Sequence, residues 1–284
     1  MSKIEFNSQS NYCLNCGSDR LRNFKAQASD AESPSVIYVI ECRNCFFAWQ
    51  YPLGRTEEDS VQYFEDAYDD GGQTKSDYFN ENKKRDIAKL EFDFVATLPA
   101  ENRKLLDIGA GAGIFAEVAA ENDWSVTAVD PAIDIDRLKN NPNIRAIKGT
   151  TAQMPKGELF DVITLWDVVE HAMNPTELIY DANKYLREDG WIVLETGNYK
   201  SADRVSGGMS HWMYQLDHRW YFSPESLERL LTDAGFSNFI FSDKVLRPDW
   251  NSSVAYAGPS RTHLLKSIVK APLQLPLHLS SVRP

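Results

Sequence analysis

The chain has 284 residues and a formal net charge of −11, and 43% of its residues are hydrophobic. This length can bury one full α/β core and leaves room for a small extra module. The acidic balance argues against nucleic acid as a partner, because phosphate contacts need clustered lysine and arginine. There is no apolar stretch long enough to cross a bilayer and no secretory h-region at the N-terminus, so we expect a cytoplasmic protein.

The four cysteines form two identical pairs, Cys13-x-x-Cys16 and Cys42-x-x-Cys45. Each pair can place two thiolates on one side of a tight turn, and two pairs complete a tetrahedral zinc site. Strand-like segments lead into and out of the second pair, as in a zinc ribbon. We therefore expect residues 1–55 to bind one structural zinc and to have a core separate from the rest. The alternatives, independent buried cysteines or a redox pair, are less favoured by the paired spacing.

Residues 56–79 follow as a linker or lid that begins with an acidic stretch, TEEDSVQYFEDAYDDGG. Tyr63, Phe64 and Tyr68 recur within it at helical spacing. Two interpretations stay open, an amphipathic helix that packs its aromatic side chains on the core and a lid over cofactor and acceptor.

A glycine-rich motif follows a helix predicted near 80–96. Residues 105–113 read LLDIGAGAG, and Asp130 ends a second apolar run, WSVTAVD. A buried strand thus leads into glycines that let the backbone turn tightly and approach a ligand, and then into a helix whose N-terminus faces that ligand. Asp130 is placed to accept hydrogen bonds from both ribose hydroxyls. Asp107 would repel a pyrophosphate and attract the ammonium and sulfonium of S-adenosylmethionine.

With these residues the chain resembles class I S-adenosylmethionine-dependent methyltransferases, and the resemblance continues in order through GTTAQMP (149–155), FDVITLWDVVEHAMNP (160–175), LREDGWIVLETGN (186–198) and YFSPESLERLLTDAGF (221–236). It implies a Rossmann-like, doubly wound α/β domain over about residues 80–260. Strands are predicted at 103–108, 124–129, 144–148, 160–166 and 190–196. One helix should start after Asn174 and end before Gly190, and another should start after Ser223 and end before Gly235.

The resemblance also implies a set of residues that contact S-adenosylmethionine. They are Asp107, Gly109, Ala110, Gly111, Gly113, Asp130, Pro131, Thr151, Ala152, Trp166 and Asp167. The family often has an acid where this chain has Thr150. Recognition of adenine is therefore expected to rest on backbone groups, Thr151 or Gln153.

The candidate catalytic residues are His171, His218 and Asp217. A hydroxyl acceptor needs a base, and His171 comes just after the fourth predicted strand of the domain, where ligands of such sheets bind. His218 lies with Asp217 in an aromatic-rich segment, MSHWMYQLDHRWYFSP, that suits an acceptor wall. Asp217 suits a base or a divalent-metal ligand. A structural histidine and an aromatic core edge are the alternatives.

Residues 261–284 form a leucine-rich tail with four basic residues and no acid. Packing on the acidic surface of the same chain is the favoured interpretation, and contact with a membrane surface or a lipid-linked acceptor is the alternative.

The combination of a zinc ribbon with a methyltransferase domain resembles the branch of S-adenosylmethionine-dependent methyltransferases that modifies sugars, polysaccharides and natural products. We expect O-methylation of a small-molecule acceptor such as a sugar, a nucleotide-sugar or a related metabolite. The alternatives are an RNA methyltransferase that clamps RNA with its ribbon, and an inactive cofactor-binding partner subunit.

Overall fold

A computed structural model describes residues 10–30, 35–52, 54–69, 81–236, 241–242 and 264–268. The chain divides into two compact units. The cysteine unit comprises Met1–Thr56, Asp167–Tyr180 and Glu195–Leu279. The glycine-loop unit comprises Glu57–Trp166, Asp181–Leu194 and Ser280–Pro284. Among the described helices, none has the length and apolar character needed to cross a membrane.

The strands are β1 (Leu21–Gln27), β2 (Val36–Cys42), β3 (Ala48–Gln50), β4 (Lys104–Ile108), β5 (Ser125–Asp130), β6 (Ile144–Lys148), β7 (Phe160–Trp166), β8 (Leu186–Gly197), β9 (Trp220–Tyr221), β10 (Phe241–Ser242) and β11 (Leu264–Ile268). The helices are α1 (Glu57–Asp69), α2 (Glu81–Val95), α3 (Ile114–Glu121), α4 (Ile135–Leu138), α5 (Pro175–Asn183), α6 (Ala202–Gly207) and α7 (Pro224–Asp233).

The glycine-loop unit is built on a sheet with strand order β8-β7-β4-β5-β6, in which β7, β4, β5 and β6 run parallel. The central strands β4 and β7 are buried on both faces, as expected where helices cover a parallel sheet. The chain moves outward from β4 to β6 and then returns to the other side of β4, so the strand order reverses at β4. The sheet confirms the predicted doubly wound α/β class, and ligands of such sheets bind at this reversal.

Helix starts follow the capping signals in the sequence. Asn174 accepts a hydrogen bond from the backbone of Glu177 (3.1 Å) at the start of α5, and Ser223 caps α7. However, α5 ends at Asn183 and β8 begins at Leu186, earlier than the predicted strand. Gly190 lies inside β8, where a Cβ atom would come within 2.8 Å of the Leu186 side chain. This glycine therefore allows close packing within the sheet and does not mark the end of the helix.

The acidic segment forms α1, as its helical spacing predicts. Glu65 on this helix pairs with Lys148 at the carboxyl end of β6 (2.8 Å), and Tyr63 and Phe64 are half-buried. The role of α1 as a lid stays a prediction.

The cysteine unit contains an antiparallel sheet of order β1-β2-β3-β9. Ala48 pairs with Tyr221 and Trp49 with Trp220, so the cysteine-bearing segment is joined to a strand far along the chain. One cluster of buried side chains joins the cysteine-bearing segment to the later segment: Ala26, Ala28, Ile37, Val39, Ala48, Tyr199, Met213, Tyr214 and Tyr221. The expectation of a separate ribbon core is therefore wrong, because a module this small gains most of its apolar burial by sharing a core.

Part of the predicted tail is also a strand. Residues 264–268 form β11, which pairs with β10 and, through Leu264 and Leu265, with the end of β8. The other tail residues lie outside the described part of the chain. Packing of the tail on the acidic surface of the same chain stays a prediction, and membrane contact stays its alternative.

Candidate functional site

The glycine loop connects β4 to α3 at the carboxyl edge of the parallel sheet. Gly109, Gly111 and Gly113 all have positive φ, between 55° and 79°. A Cβ atom at Gly113 would also come within 2.6 Å of the Leu138 side chain in α4. The loop thus needs glycine at this position both for its backbone angle and for packing. Ala110 accepts a hydrogen bond from the backbone of Gly113 (2.9 Å), which closes the turn before α3.

Asp130 at the end of β5 reaches back to this loop. Its Oδ2 accepts a hydrogen bond from the Gly111 backbone (3.0 Å), and its Oδ1 accepts one from the Ala132 backbone (2.6 Å). Burial raises the pKa of Asp130, and these two bonds oppose that effect. Each carboxylate oxygen can accept a further bond, so the side chain retains capacity for a pair of ribose hydroxyls. Pro131, the next residue, is half-buried.

Asp107 is buried in β4, with 1% of its surface exposed. Thr164 donates a hydrogen bond to Oδ1 (2.8 Å), whereas Oδ2 has no partner among the described residues. Burial raises the pKa of this carboxyl to about 7; Thr164 opposes the shift, and the charge of Asp130 adds to it. An incompletely paired buried carboxylate at the strand reversal fits a cationic ligand, as S-adenosylmethionine would be.

The predicted adenine-side residues follow β6. Thr150 and Gln153 form a capping box around a short 3-10 turn, in which Gln153 Oε1 accepts a hydrogen bond from the Thr150 backbone (2.7 Å). The Gln153 amide oxygen is thus already used within the turn. Thr151 is buried and Ala152 is exposed, so the remaining polar groups of this turn are mainly backbone groups.

Trp166 ends β7 and Asp167 follows it. The indole of Trp166 packs edge-on against Phe115 of α3 (5.2 Å between ring centroids), and its Nε1 is buried without a hydrogen-bond partner in the described chain. Asp167 has a φ of 53°, which is uncommon for a residue other than glycine. Its backbone donates to Glu195 within the cysteine unit (3.1 Å). All other predicted cofactor residues lie in the glycine-loop unit, at carboxyl ends of its strands.

The three predicted catalytic residues come together in the cysteine unit. His171 Nδ1 lies 3.2 Å from the backbone oxygen of Asp217 and 3.4 Å from its Oδ2. Because both neighbours are acceptors, the neutral form of the ring carries its hydrogen on Nδ1 and its lone pair on Nε2. The rings of His171 and His218 meet edge-on, with centroids 4.7 Å apart. The side chain of His171 is 22% exposed and that of Asp217 is 2% exposed.

The two histidines have different electrostatic environments. His218 donates through Nδ1 to the Met213 backbone oxygen (2.8 Å), and burial lowers its pKa to about 4, with a further contribution from the neighbouring His171 ring. Burial alone would raise the pKa of Asp217, but His171, His218 and Arg55 outweigh it, and this pKa is lowered. At neutral pH the cluster therefore pairs an ionised Asp217 with a neutral His218.

Glu170 is a member of this cluster that the sequence did not single out. Atoms of Glu170, His171 and His218 that can bind a metal lie within 4.8 Å of one another. These three residues could hold a divalent cation. Asp217, the metal ligand considered from the sequence, does not belong to this set. The position of Glu170 next to His171, just after β7, was the feature of the sequence that pointed to Glu170.

The aromatic segment after His211 is mostly core. Tyr214, Trp220, Tyr221 and Phe222 are at most 3% exposed, and Trp212 is partly buried against the cluster that contains Tyr214 and Tyr221. Trp220 and Phe222 pack on Phe47 of the cysteine-bearing segment. These rings are too buried to form the predicted acceptor wall. The polar residues Asp217 and His218 do reach His171.

The four cysteines converge. Sγ atoms of Cys13 and Cys45 are 3.6 Å apart, as are those of Cys16 and Cys42, and all four lie within 4.8 Å. A tetrahedral site with Zn–S bonds of roughly 2.3 Å gives S–S separations of about 3.8 Å, far longer than a disulfide. Backbone N–H groups of the two knuckles point at Cys13 and Cys42 sulfur (3.3–3.4 Å), which suits thiolates.

Known proteins match the glycine-loop unit and beyond. Residues 79–239 match the sequence model of a methyltransferase domain family. A ubiquinone biosynthesis O-methyltransferase of Cereibacter sphaeroides (strain KD131 / KCTC 12085) is 29% identical over 196 residues, which cover 64% of this chain and 79% of the relative. One of Hydrogenovibrio crunogenus (strain DSM 25203 / XCL-2) is 31% identical over 167 residues, which cover 52% of this chain and 68% of the relative.

Solved structures share the fold. The 1,6-didemethyltoxoflavin-N1-methyltransferase of Burkholderia thailandensis, solved with 1,6-didemethyltoxoflavin and S-adenosylhomocysteine, has a TM-score of 0.57 at 16% identity over 87% of this chain and 99% of that chain. An S-adenosylmethionine-dependent methyltransferase of Thermotoga maritima has a TM-score of 0.50 at 19% identity over 72% of this chain and 95% of that chain.

Proposed function

The chain belongs to the methyltransferase domain family and is an S-adenosylmethionine-dependent methyltransferase, and we propose that it methylates a hydroxyl oxygen of a small acceptor with His171 as the base. S-adenosylmethionine supplies an activated methyl group when it is bound. The residues proposed to hold it are those of the glycine loop together with Asp107, Pro131, Asp130, Thr151, Ala152, Trp166 and Asp167.

The pairing of His171 with Asp217 carries the proposal. A buried, ionised carboxylate beside Nδ1 fixes the ring tautomer and stabilises the imidazolium that forms when Nε2 takes a proton. His171 is also half-buried rather than enclosed, so an acceptor can reach it. His218 is a poorer base, because a group with a pKa of about 4 accepts a proton weakly at neutral pH. We propose that His218 instead orients the ring of His171.

We propose a phenolic hydroxyl on a substituted ring as the first acceptor class. The named relatives support it, since they are O-methyltransferases of ubiquinone biosynthesis. A sugar or nucleotide-sugar hydroxyl is the second class, and it rests on the sequence patterns alone. A phenol is also the easier chemistry for a single histidine, because its proton is far more acidic than that of a sugar alcohol.

The matched variants His171→Ala and His218→Ala test the base. With a phenolic acceptor, His171→Ala should lower kcat by roughly 10²–10⁴ and leave S-adenosylmethionine affinity unchanged, whereas His218→Ala should cost much less. Near-normal turnover by His171→Ala would remove this role. Activity of both variants together would favour an amine or activated-carbon acceptor, for which alignment alone suffices.

A second role for the cluster follows from the convergence of Glu170, His171 and His218. A divalent cation held there would stabilise the acceptor oxyanion, and His171 would then be a ligand instead of the base. Loss of turnover on chelation that Mg²⁺ or Mn²⁺ restores, with the structural metal still bound, would favour this role.

We also propose that Cys13, Cys16, Cys42 and Cys45 bind one structural zinc. The sulfur separations and the N–H groups directed at sulfur support it. Metal analysis of the purified protein should find one zinc per chain, and four free thiols without metal would contradict the proposal.

A further inference from the structure

The loop that carries Asp217 and His218 is held by residues of the N-terminal segment, all within the cysteine unit. The amide nitrogen of Gln50 lies in hydrogen-bond range of the backbone oxygens of Gln215 and His218 (2.6 Å for His218) and of the Tyr221 hydroxyl (3.0 Å). Gln50 is fully buried at the end of β3. Its amide therefore fixes the turn on which both polar side chains are mounted.

Arg55 makes the second attachment. Its Nη1 lies 2.8 Å from Asp30 Oδ2 and 3.8 Å from Asp217 Oδ1. Asp30 in turn accepts a hydrogen bond from the Leu216 backbone (2.9 Å). The Arg55 side chain, 16% exposed, thus faces the half-buried carboxylate of Asp30 and the buried carboxylate of Asp217, which is the partner of His171.

Arg219 closes the ring of contacts. Its Nε donates to the backbone oxygen of His171 (3.0 Å), and its Nη1 donates to the backbone oxygen of Arg55 (3.3 Å). The position of the Asp217 side chain therefore depends on Arg55 directly, and that of the His171 backbone depends on Arg55 through Arg219. Charged hydrogen bonds in a buried setting hold geometry more firmly than neutral surface ones.

We propose that Arg55 and Gln50 are positioning residues for the His171–Asp217 pair, so that the N-terminal segment completes the acceptor side of the enzyme. Both residues lie outside the segment that matches the methyltransferase family, residues 79–239. The inference rests on the proposed function of His171 as base. It gives the cysteine-bearing segment a part in the reaction through the geometry of Asp217.

Arg55→Met removes both the positive charge and the hydrogen-bond donors of the guanidinium. Arg55→Lys keeps the positive charge. Arg43→Met is the matched control, because Arg43 is an exposed arginine of the same segment. Arg55→Met should lower kcat by roughly 10–100-fold with S-adenosylmethionine affinity within twofold of the unmodified protein, and Arg55→Lys should recover most of the loss. Arg43→Met should behave as the unmodified protein.

Ring nitrogen NMR provides the readout that does not depend on turnover. In the unmodified protein the hydrogen of neutral His171 should reside on Nδ1, and Arg55→Met should shift the ring toward the Nε2-protonated tautomer. Arg55→Gln, which keeps a donor toward Asp30 but not the charge, replaces Arg55→Met if the latter does not fold. An unchanged tautomer with kcat within threefold would overturn the inference, as would equal losses in the Met and Lys variants with an unchanged tautomer.

The two proposals fail differently. If the unmodified protein turns over no hydroxyl acceptor but Arg55→Met still changes the tautomer, the proposed function fails and the positioning role stands. If turnover is normal and the tautomer is insensitive to Arg55, the positioning role fails and the proposed function stands.

Discussion

Replacing Asp107 with asparagine should stabilise the ligand-free protein and weaken its cofactor binding. The Asp107 carboxyl is 1% exposed, and burial raises its pKa from an ordinary 3.8 to about 7. Since the folded state binds this proton more tightly than the unfolded state, the contribution of Asp107 to stability is largest below pH 4 and is lost as the pH rises through about 7. An asparagine side chain is neutral at every pH and escapes this loss.

The size of the effect follows from linkage. Each pH unit between the two pKa values changes the free energy of unfolding by about 1.4 kcal/mol, so the advantage of Asp107→Asn should grow by about 3 kcal/mol between pH 5 and pH 8. S-adenosylmethionine should select the ionised carboxylate, so its affinity for the unmodified protein should be about tenfold weaker at pH 6 than at pH 8. Asp107→Asn should bind S-adenosylmethionine weakly at both pH 6 and pH 8.

Denaturant unfolding without ligand and calorimetric titration with S-adenosylmethionine measure the two effects. Both proteins are measured in the same buffers, so the effects of pH on other groups and on the ligand are common to both and drop out of the difference. Asp93→Asn, an exposed carboxylate on α2, is the matched control and should change neither quantity. A stability difference for Asp107→Asn that is independent of pH, or undiminished affinity at pH 8, would refute the assignment of Asp107 as the buried cation-binding carboxylate.

Two further outcomes follow from the site and the cysteines. Asp130→Ala should weaken S-adenosylmethionine binding by roughly 1.5–3 kcal/mol in a calorimetric titration, because it removes a carboxylate that Gly111 and Ala132 hold in place. The unmodified protein should bind NAD far more weakly than S-adenosylmethionine. Tighter binding of NAD would contradict the assignment of the site to S-adenosylmethionine. Cys42→Ser should release zinc and lower the melting temperature. It should also reduce turnover more than cofactor affinity, because the cysteine segment shares its core with residues 199–221. Normal turnover without zinc would show that the reaction does not depend on the metal.

Local patterns in the sequence predicted the strands of the glycine-loop unit and two helix starts of the cysteine unit well. The strands from β4 to β7 form almost where the apolar runs place them, and the caps at Asn174 and Ser223 start α5 and α7. These features depend on neighbouring residues, so a single sequence contains them. The end of α5 is the exception, since Gly190 serves packing inside β8.

Long-range pairings could not be predicted in the same way. The pairing of β3 with β9 involves a strand of two residues, too short to show any periodicity. It determines that the cysteine segment shares a core with Tyr214 and Tyr221, and it brings Gln50 and Arg55 to the Asp217 loop. The sequence singled out His171, His218 and Asp217 by residue type and position, whereas their supporting contacts required the fold.

Transfer of a labelled methyl group is the most direct test of O-methylation with His171 as the base. The unmodified protein is incubated with methyl-labelled S-adenosylmethionine and either a dihydroxylated aromatic ring or a sugar, with His171→Ala alongside, and the product is identified by NMR. We expect label on a hydroxyl oxygen of the aromatic ring, and we expect His171→Ala to form this product roughly 10²–10⁴-fold more slowly. Label on the sugar would keep the O-methyltransferase and change its acceptor class. Bound cofactor with no transfer to any hydroxyl, or label on nitrogen or carbon, would show that the protein is not an O-methyltransferase.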